Sequence, residues 1–155
     1  MKYDLLNNII SNYKDNITKI KTKYLELLSE LTVIEDIQDE LFVNSVHEIH
    51  NNRGYIIICY ANEPNEDTFE IIGSGTILIE RKIIRGCRSV GHIEDIVVKE
   101  KYRGNNLSQT ILDLLQEYAI KQNCYKVILD CKRSVKKVYE KNNFVEKDIQ
   151  MVKYL

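Results

Sequence analysis

Proline occurs once in the 155 residues, at Pro64, and no stretch is rich in proline or glycine. Low-complexity segments, linkers and internal repeats are absent, so the chain reads as one domain, 1–155. No apolar run approaches the length of a membrane span. Met1 to Ile20 mixes polar and apolar residues and lacks the uninterrupted apolar run of a signal peptide, so a reducing, cytosol-like compartment is the expectation. There are four cysteines, Cys59, Cys87, Cys124 and Cys131, and none forms a C-x-x-C pair or joins a histidine at zinc spacing. No metal is expected, and the four are read as free, structural thiols. No base is paired with a cysteine in any local signature for a nucleophile. The formal net charge of -1 gives no whole-molecule field that favours nucleic acid or a membrane surface. An anion must therefore be held by local geometry.

What is present suffices for an ordinary core: 44% of residues are hydrophobic and 29% charged. Ile17, Ile20, Tyr24, Leu27, Leu28 and Leu31 recur at helical spacing, and a second helix is expected from about Asp39 to Asn51, stopped by Gly54. Strands are expected over Tyr55–Ala61, Phe69–Ile84 and Val90–Val98, an antiparallel meander joined by the turn-rich loop around Pro64 and by Arg85–Ser89. Gly73 and Gly75 inside the second strand suggest a bulge or a close backbone approach, or nothing more than a tolerated weakness. Leu107, Ile111, Leu114, Leu115, Tyr118 and Ala119 mark a helix that stops near Asn123. Tyr125–Cys131 reads as a strand, Val135–Tyr139 as a short helix, and Phe144–Tyr154 as a last strand. The order α-α-β-β-β-α-β-α-β is that of a three-layer α/β sandwich.

The segment with most chemistry is Val97-Val98-Lys99-Glu100-Lys101-Tyr102-Arg103-Gly104-Asn105-Asn106-Leu107-Ser108. A strand ends, a basic loop with one glycine follows, and a helix begins. Helix starts present unbonded N–H groups and partial positive charge, a seat for phosphate. Gly104 lets phosphate approach the backbone, and Lys99, Lys101 and Arg103 add charge. On spacing alone a capped, solvated turn is the plainer reading.

Lys101-x-x-Gly104-x-Asn106 resembles the pyrophosphate motif of the GNAT N-acetyltransferases. Val90-Gly91-His92-Ile93-Glu94-Asp95-Ile96-Val97-Val98, Asn123-Cys124-Tyr125-Lys126-Val127-Ile128-Leu129-Asp130-Cys131, Val138-Tyr139-Glu140-Lys141 and Phe144 are similar to the eukaryotic glucosamine-6-phosphate N-acetyltransferases within that family. The likeness runs nearly unbroken from about Ile77 to Phe144.

The resemblance implies a GNAT fold, with a mixed, mostly antiparallel sheet flanked by helices. It implies direct transfer of acetyl from acetyl-CoA to the amine of glucosamine 6-phosphate in a ternary complex. Backbone groups of Ile96, Val97 and Val98 would hold the pantetheine and acetyl group, where an amide donor can stabilise an oxyanion. Arg103, Gly104, Asn105, Asn106, Leu107, Ser108 and Gln109 would hold the pyrophosphate. Tyr139 would protonate the departing thiolate. Glu94 and Asp95, sent to opposite faces by strand alternation, would meet the sugar and its amine; an edge salt bridge is the plainer reading. Asp130 would lie at the cofactor and active site. Thr32, the segment Lys82-Ile83-Ile84-Arg85, and Tyr125-Lys126 would bind the sugar phosphate through charge-assisted donors.

Three departures from the family stand out. Asn106 and Ser108 stand where it has glycines, Val135 where it often has an asparagine, and Lys153-Tyr154 where it has an arginine that reaches the partner's sugar site. Family members are homodimers that share the C-terminal strand, and Met151–Leu155 is apolar enough for that exchange. A GNAT enzyme for another amine and a non-catalytic acyl-CoA sensor are the competing functions.

Overall fold

Runs of β-branched residues fill the central strands, and the two-residue period of a strand sends successive ones to opposite faces, which sorts the core. The computed structural model describes all residues, 1–155. Its elements are β1 (Lys2–Leu5), α1 (Leu6–Asn12), α2 (Ile17–Leu28), α3 (Asp39–Asn51), β2 (Gly54–Ala61), β3 (Glu70–Arg81), α4 (Ile84–Cys87), β4 (Ser89–Val98), α5 (Leu107–Lys121), β5 (Cys124–Leu129) and α6 (Lys136–Glu140). The five strands form one sheet in the order β1-β2-β3-β4-β5, antiparallel except for the parallel β4–β5 pair.

Ile56, Ile58 and Tyr60 of β2 pack with α1, α2 and α3 on one face. Ile57 and Cys59, the residues between them, pack with α5 on the other. Ile58, Ile77, Ile111 and Leu115 are completely buried, and each such side chain contributes about 1.5–3 kcal/mol by leaving water. The three expected layers are therefore present, and no cysteine is bonded to another.

Four expectations are corrected. β1 and α1 were not legible: β1 is only four residues long and is made by pairing with β2, from Lys2 opposite Tyr60 to Leu5 opposite Ile57. Arg53, not Gly54, takes the left-handed conformation after α3. Gly54 instead admits Ile49, whose Cγ2 would lie 2.5 Å from an added Cβ. The turn Arg85–Ser89 starts with the kinked helical turn α4, where Arg85, Gly86 and Cys87 all have positive φ. No last strand forms over Phe144–Tyr154: the segment has no regular structure, and Val145, Ile149, Met151, Val152 and Tyr154 are exposed. Within one chain, these residues pair with neither the outer edge of β5 nor the exposed part of β4.

The feature that shapes the site is a bulge between β3 and β4. Ser74 pairs with Val97 and Thr76 with Glu94, so Gly75 alone faces both Asp95 and Ile96. Asp95 takes φ 52°. Ile93 and Ile96, three residues apart, both belong to the α5-side core, which an unbroken two-residue period forbids. Gly75 is needed here for close approach, because a Cβ would lie 2.5 Å from Ile96 Cδ1 and 2.7 Å from Ile111 Cγ2.

Candidate active site

β4 loses its neighbour half-way along. β5 runs beside it only from Ser89 opposite Cys124 to Ile93 opposite Leu129. β5 ends two residues before Cys131, and Asp130 and Cys131 leave the sheet. From Glu94 onward one edge of β4 is open. Lys99 N–H donates to Ile72 of β3 at 2.8 Å, so strand alternation turns the N–H and C=O of Val98 toward the open edge. The side chains of Val97 and Val98 are buried and that of Ile96 half-buried. With these side chains packed, what faces the open edge is backbone.

The open edge leads into the start of α5. Gly104 has φ 80° and Asn106, immediately before the helix, φ 58°. Asparagine visits the left-handed region at low cost, so replacing a glycine at Asn106 leaves the turn intact. The first backbone bond of α5 is Thr110 N–H to Asn106 O at 3.0 Å. The N–H groups of Gly104, Asn105, Asn106, Leu107, Ser108 and Gln109 have no acceptor within the chain. Gly104, Asn106, Leu107 and Ser108 line, with Val98, Tyr102, Arg103 and Val138, a recess of about 210 Å³. Oriented amides and the helix dipole make this an anion seat.

The basic side chains beside it are already engaged. Lys99 and Lys101 pair with Glu70 at 2.9 and 2.8 Å, and Tyr102 OH donates to Glu70 at 2.8 Å. Burial alone would push Glu70 up; the three donors outweigh it and bring the carboxyl down to about 2. Arg103 pairs with Glu30 at 2.7 Å and donates through Nε to the Val98 carbonyl at 3.0 Å. The local positive charge expected of these three bases is thus reduced, since two carboxylates pair with them, and the donors left free at the recess are the amides.

Glu94 and Asp95 do not lie on opposite faces. The bulge breaks the alternation. Glu94 sits opposite Thr76, and the Asp95 charge bears on Tyr24, whose OH lies 3.5 Å from Ser74 Oγ on the Thr76 face. Partial burial, then the charges of Asp95 and Asp130, raise the Glu94 carboxyl above its ordinary value. The charges of Asp95 and Asp130 thus both act on Glu94, which lies where the edge of β4 opens. Asp130 accepts from Gln150 Nε2 at 2.5 Å.

Val138 of α6 closes the far side of the recess. The next residue, Tyr139, turns into the α5-side core beside Phe144, with ring centroids 6.0 Å apart. Burial, with a smaller effect from Cys131, raises its phenol above the ordinary value.

The expected phosphate ligands are only partly assembled. Arg85 and Lys126 each lie 5.8 Å from the Tyr125 ring centroid, joined by Arg88 at 6.0 Å. None of these three cations has a carboxylate partner, whereas Lys82 is paired with Glu80, which also accepts from His92 at 2.8 Å. Ile83 and Ile84 project at the hairpin tip. Thr32 lies in the exposed loop after α2, with no bond to Lys82, Arg85 or Lys126. Arg88 was missed in the sequence because an arginine in a turn carries no signal until Tyr125 is placed beside it.

The family model described as "Acetyltransferase (GNAT) family" matches residues 19–144. The chain belongs to this acetyltransferase family. Among curated GNAT relatives it is 38% identical to the "Glucosamine 6-phosphate N-acetyltransferase" of Arabidopsis thaliana over 91% of this chain and 93% of the relative. It is 37% identical to "Glucosamine 6-phosphate N-acetyltransferase 1" of Dictyostelium discoideum, over 85% of this chain and 82% of that one. The crystal structure of the Arabidopsis thaliana enzyme superposes with a TM-score of 0.79 at 35% identity, covering 89% of this chain and 92% of that chain. The GNAT fold expected from the sequence is thus confirmed.

Proposed function

We propose that this GNAT protein transfers the acetyl group of acetyl-CoA to the amine of glucosamine 6-phosphate. The observation that carries the reading is the continuity of the open β4 edge with six unbonded amides, ending beside three carboxylates. The names of the relatives supply the acceptor.

The residues present fit the coenzyme. Backbone groups of Ile96 to Val98 suit an extended amide chain, and the Gly104–Gln109 amides suit a diphosphate. Acetyl-CoA would supply the activated acyl group as a thioester. A free β4 N–H is the donor available to a carbonyl oxygen that gains negative charge. Glu94, with Asp95 and Asp130 as neighbours, removes a proton from the ammonium, directly or through water. Its raised carboxyl value suits that role, because a stronger base accepts the proton more readily. Tyr139 stays protonated at neutral pH and donates to the departing sulfur.

Arg85, Arg88, Tyr125 and Lys126 supply the donors for the sugar phosphate. The exposed apolar tail, Val145–Leu155, supports a homodimer in which each tail pairs with the partner and Lys153 approaches its sugar site. We assign the protein to the cytoplasm: four free thiols support this, and no helix is long and apolar enough to cross a membrane. The test is acceptor discrimination. Glucosamine 6-phosphate should be acetylated and unphosphorylated glucosamine not, and Lys126→Ala should raise KM for the phosphorylated sugar. Equal use of both sugars would contradict the reading.

A further inference from the structure

Beside the coenzyme recess, α2 and the loop after β4 enclose an open polar groove lined by Glu26, Ser29, Glu30, Glu70, Lys99, Glu100 and Lys101. Glu30 crosses it. Its two oxygens accept the Glu100 N–H at 3.3 and 3.0 Å, which caps the single 3-10 turn Glu100–Tyr102. The same carboxylate holds Arg103 Nη2 at 2.7 Å, while Arg103 Nε holds the Val98 carbonyl at 3.0 Å. No other hydrogen bond or ion pair joins residues 29–38 to residues 99–109.

We propose that Glu30 is a positioning residue for coenzyme binding: acting through Arg103, it fixes the loop that presents the diphosphate-binding amides and occupies the Val98 carbonyl at the open edge. The inference rests on the acetyl-CoA reading above. The geometry is a relay. Guanidinium nitrogens are fixed in one plane, so a carboxylate bound at Nη2 restricts where the adjacent Nε points, here at the Val98 carbonyl. Without the carboxylate, the guanidinium is free to rotate, Glu100 N–H loses its acceptor, and the turn before Gly104 loosens. Glu30 belongs to the segment after α2, so the relay ties that segment to the loop after β4. Glu70 holds the same loop from the opposite side through Lys99 and Lys101, so loss of Glu30 alone leaves the fold in place.

The test is a double-mutant cycle with CoA titrated calorimetrically into the full chain. Glu30→Ala should weaken CoA about tenfold, equivalent to about 1.4 kcal/mol, because the Arg103 side chain is 55% exposed and the pair is partly screened. Glu30→Gln, which keeps an acceptor for Glu100 N–H and loses the ion pair, should weaken it less. Arg103→Lys should also weaken CoA, and the double variant Glu30→Ala with Arg103→Lys should be no weaker than the worse single change. In turnover, KM for acetyl-CoA should rise while kcat is kept. Unchanged CoA affinity in both Glu30 variants overturns the proposal, as do effects that multiply in the double variant. Failure of the unaltered chain to bind CoA overturns the coenzyme reading itself.

Discussion

Ile96 fills the space that a side chain on Gly75 would occupy. An added Cβ at Gly75 would lie 2.5 Å from Ile96 Cδ1, inside any allowed contact. Gly75→Ala should therefore destabilise the protein by about 1–3 kcal/mol through overpacking. Because Ile96 sits in the bulge, the open edge should be distorted as well. Urea unfolding and CoA affinity should fall together; unchanged values in both would show that the bulge accommodates the methyl group.

Tyr139→Phe keeps the ring against Phe144 and removes only the proton donor. Loss of a general acid costs about 10²–10⁴ in rate, so kcat should fall by about a hundredfold or more while CoA affinity stays within about twofold. A variant with full kcat would make Tyr139 a core residue and nothing else.

Glu94 must be ionised to act. Burial and the charges of Asp95 and Asp130 raise its carboxyl value, so kcat/KM should rise with pH through a group titrating above the ordinary carboxylate range. Asp130→Asn removes one of the raising charges and should move this acid limb to lower pH. A limb that does not move would mean another group governs it.

Glu70 makes a separate prediction about stability. Its folded value, about 2, lies below the ordinary 4.5 despite burial, because Lys101, Lys99 and Tyr102 bond the ionised form. The stabilisation is present above the unfolded value and is lost as pH falls from about 4.5 to 2, on the order of 3 kcal/mol in all. Glu70→Gln should flatten the stability profile over that window in acid-unfolding measurements. An unchanged slope would contradict this.

The three-layer order and most strands were legible because Ile56 to Tyr60 alternate between two cores, and Ile111, Leu112 and Leu115 share one helix face. The coenzyme loop was legible as a strand-to-helix junction. The convergence of Glu94 and Asp95 was not, since a bulge is a pairing event: Gly75 hints at it, but only the register against β4 shows which residue is extra. The pairing of Lys99, Lys101 and Arg103 with carboxylates was hidden for a related reason. Glu70 and Glu30 lie 29 and 73 residues away from their partners Lys99 and Arg103. The missing last strand was not legible because an apolar tail with strand-like residues forms a strand only where it pairs, and in the single chain it pairs with no strand.

The central claim is tested most directly by thiol release in a mixture of the purified chain, acetyl-CoA and glucosamine 6-phosphate. The account predicts free CoA thiol formed in step with N-acetylglucosamine 6-phosphate, and dependent on the sugar. No thiol above the rate seen without the sugar would contradict it.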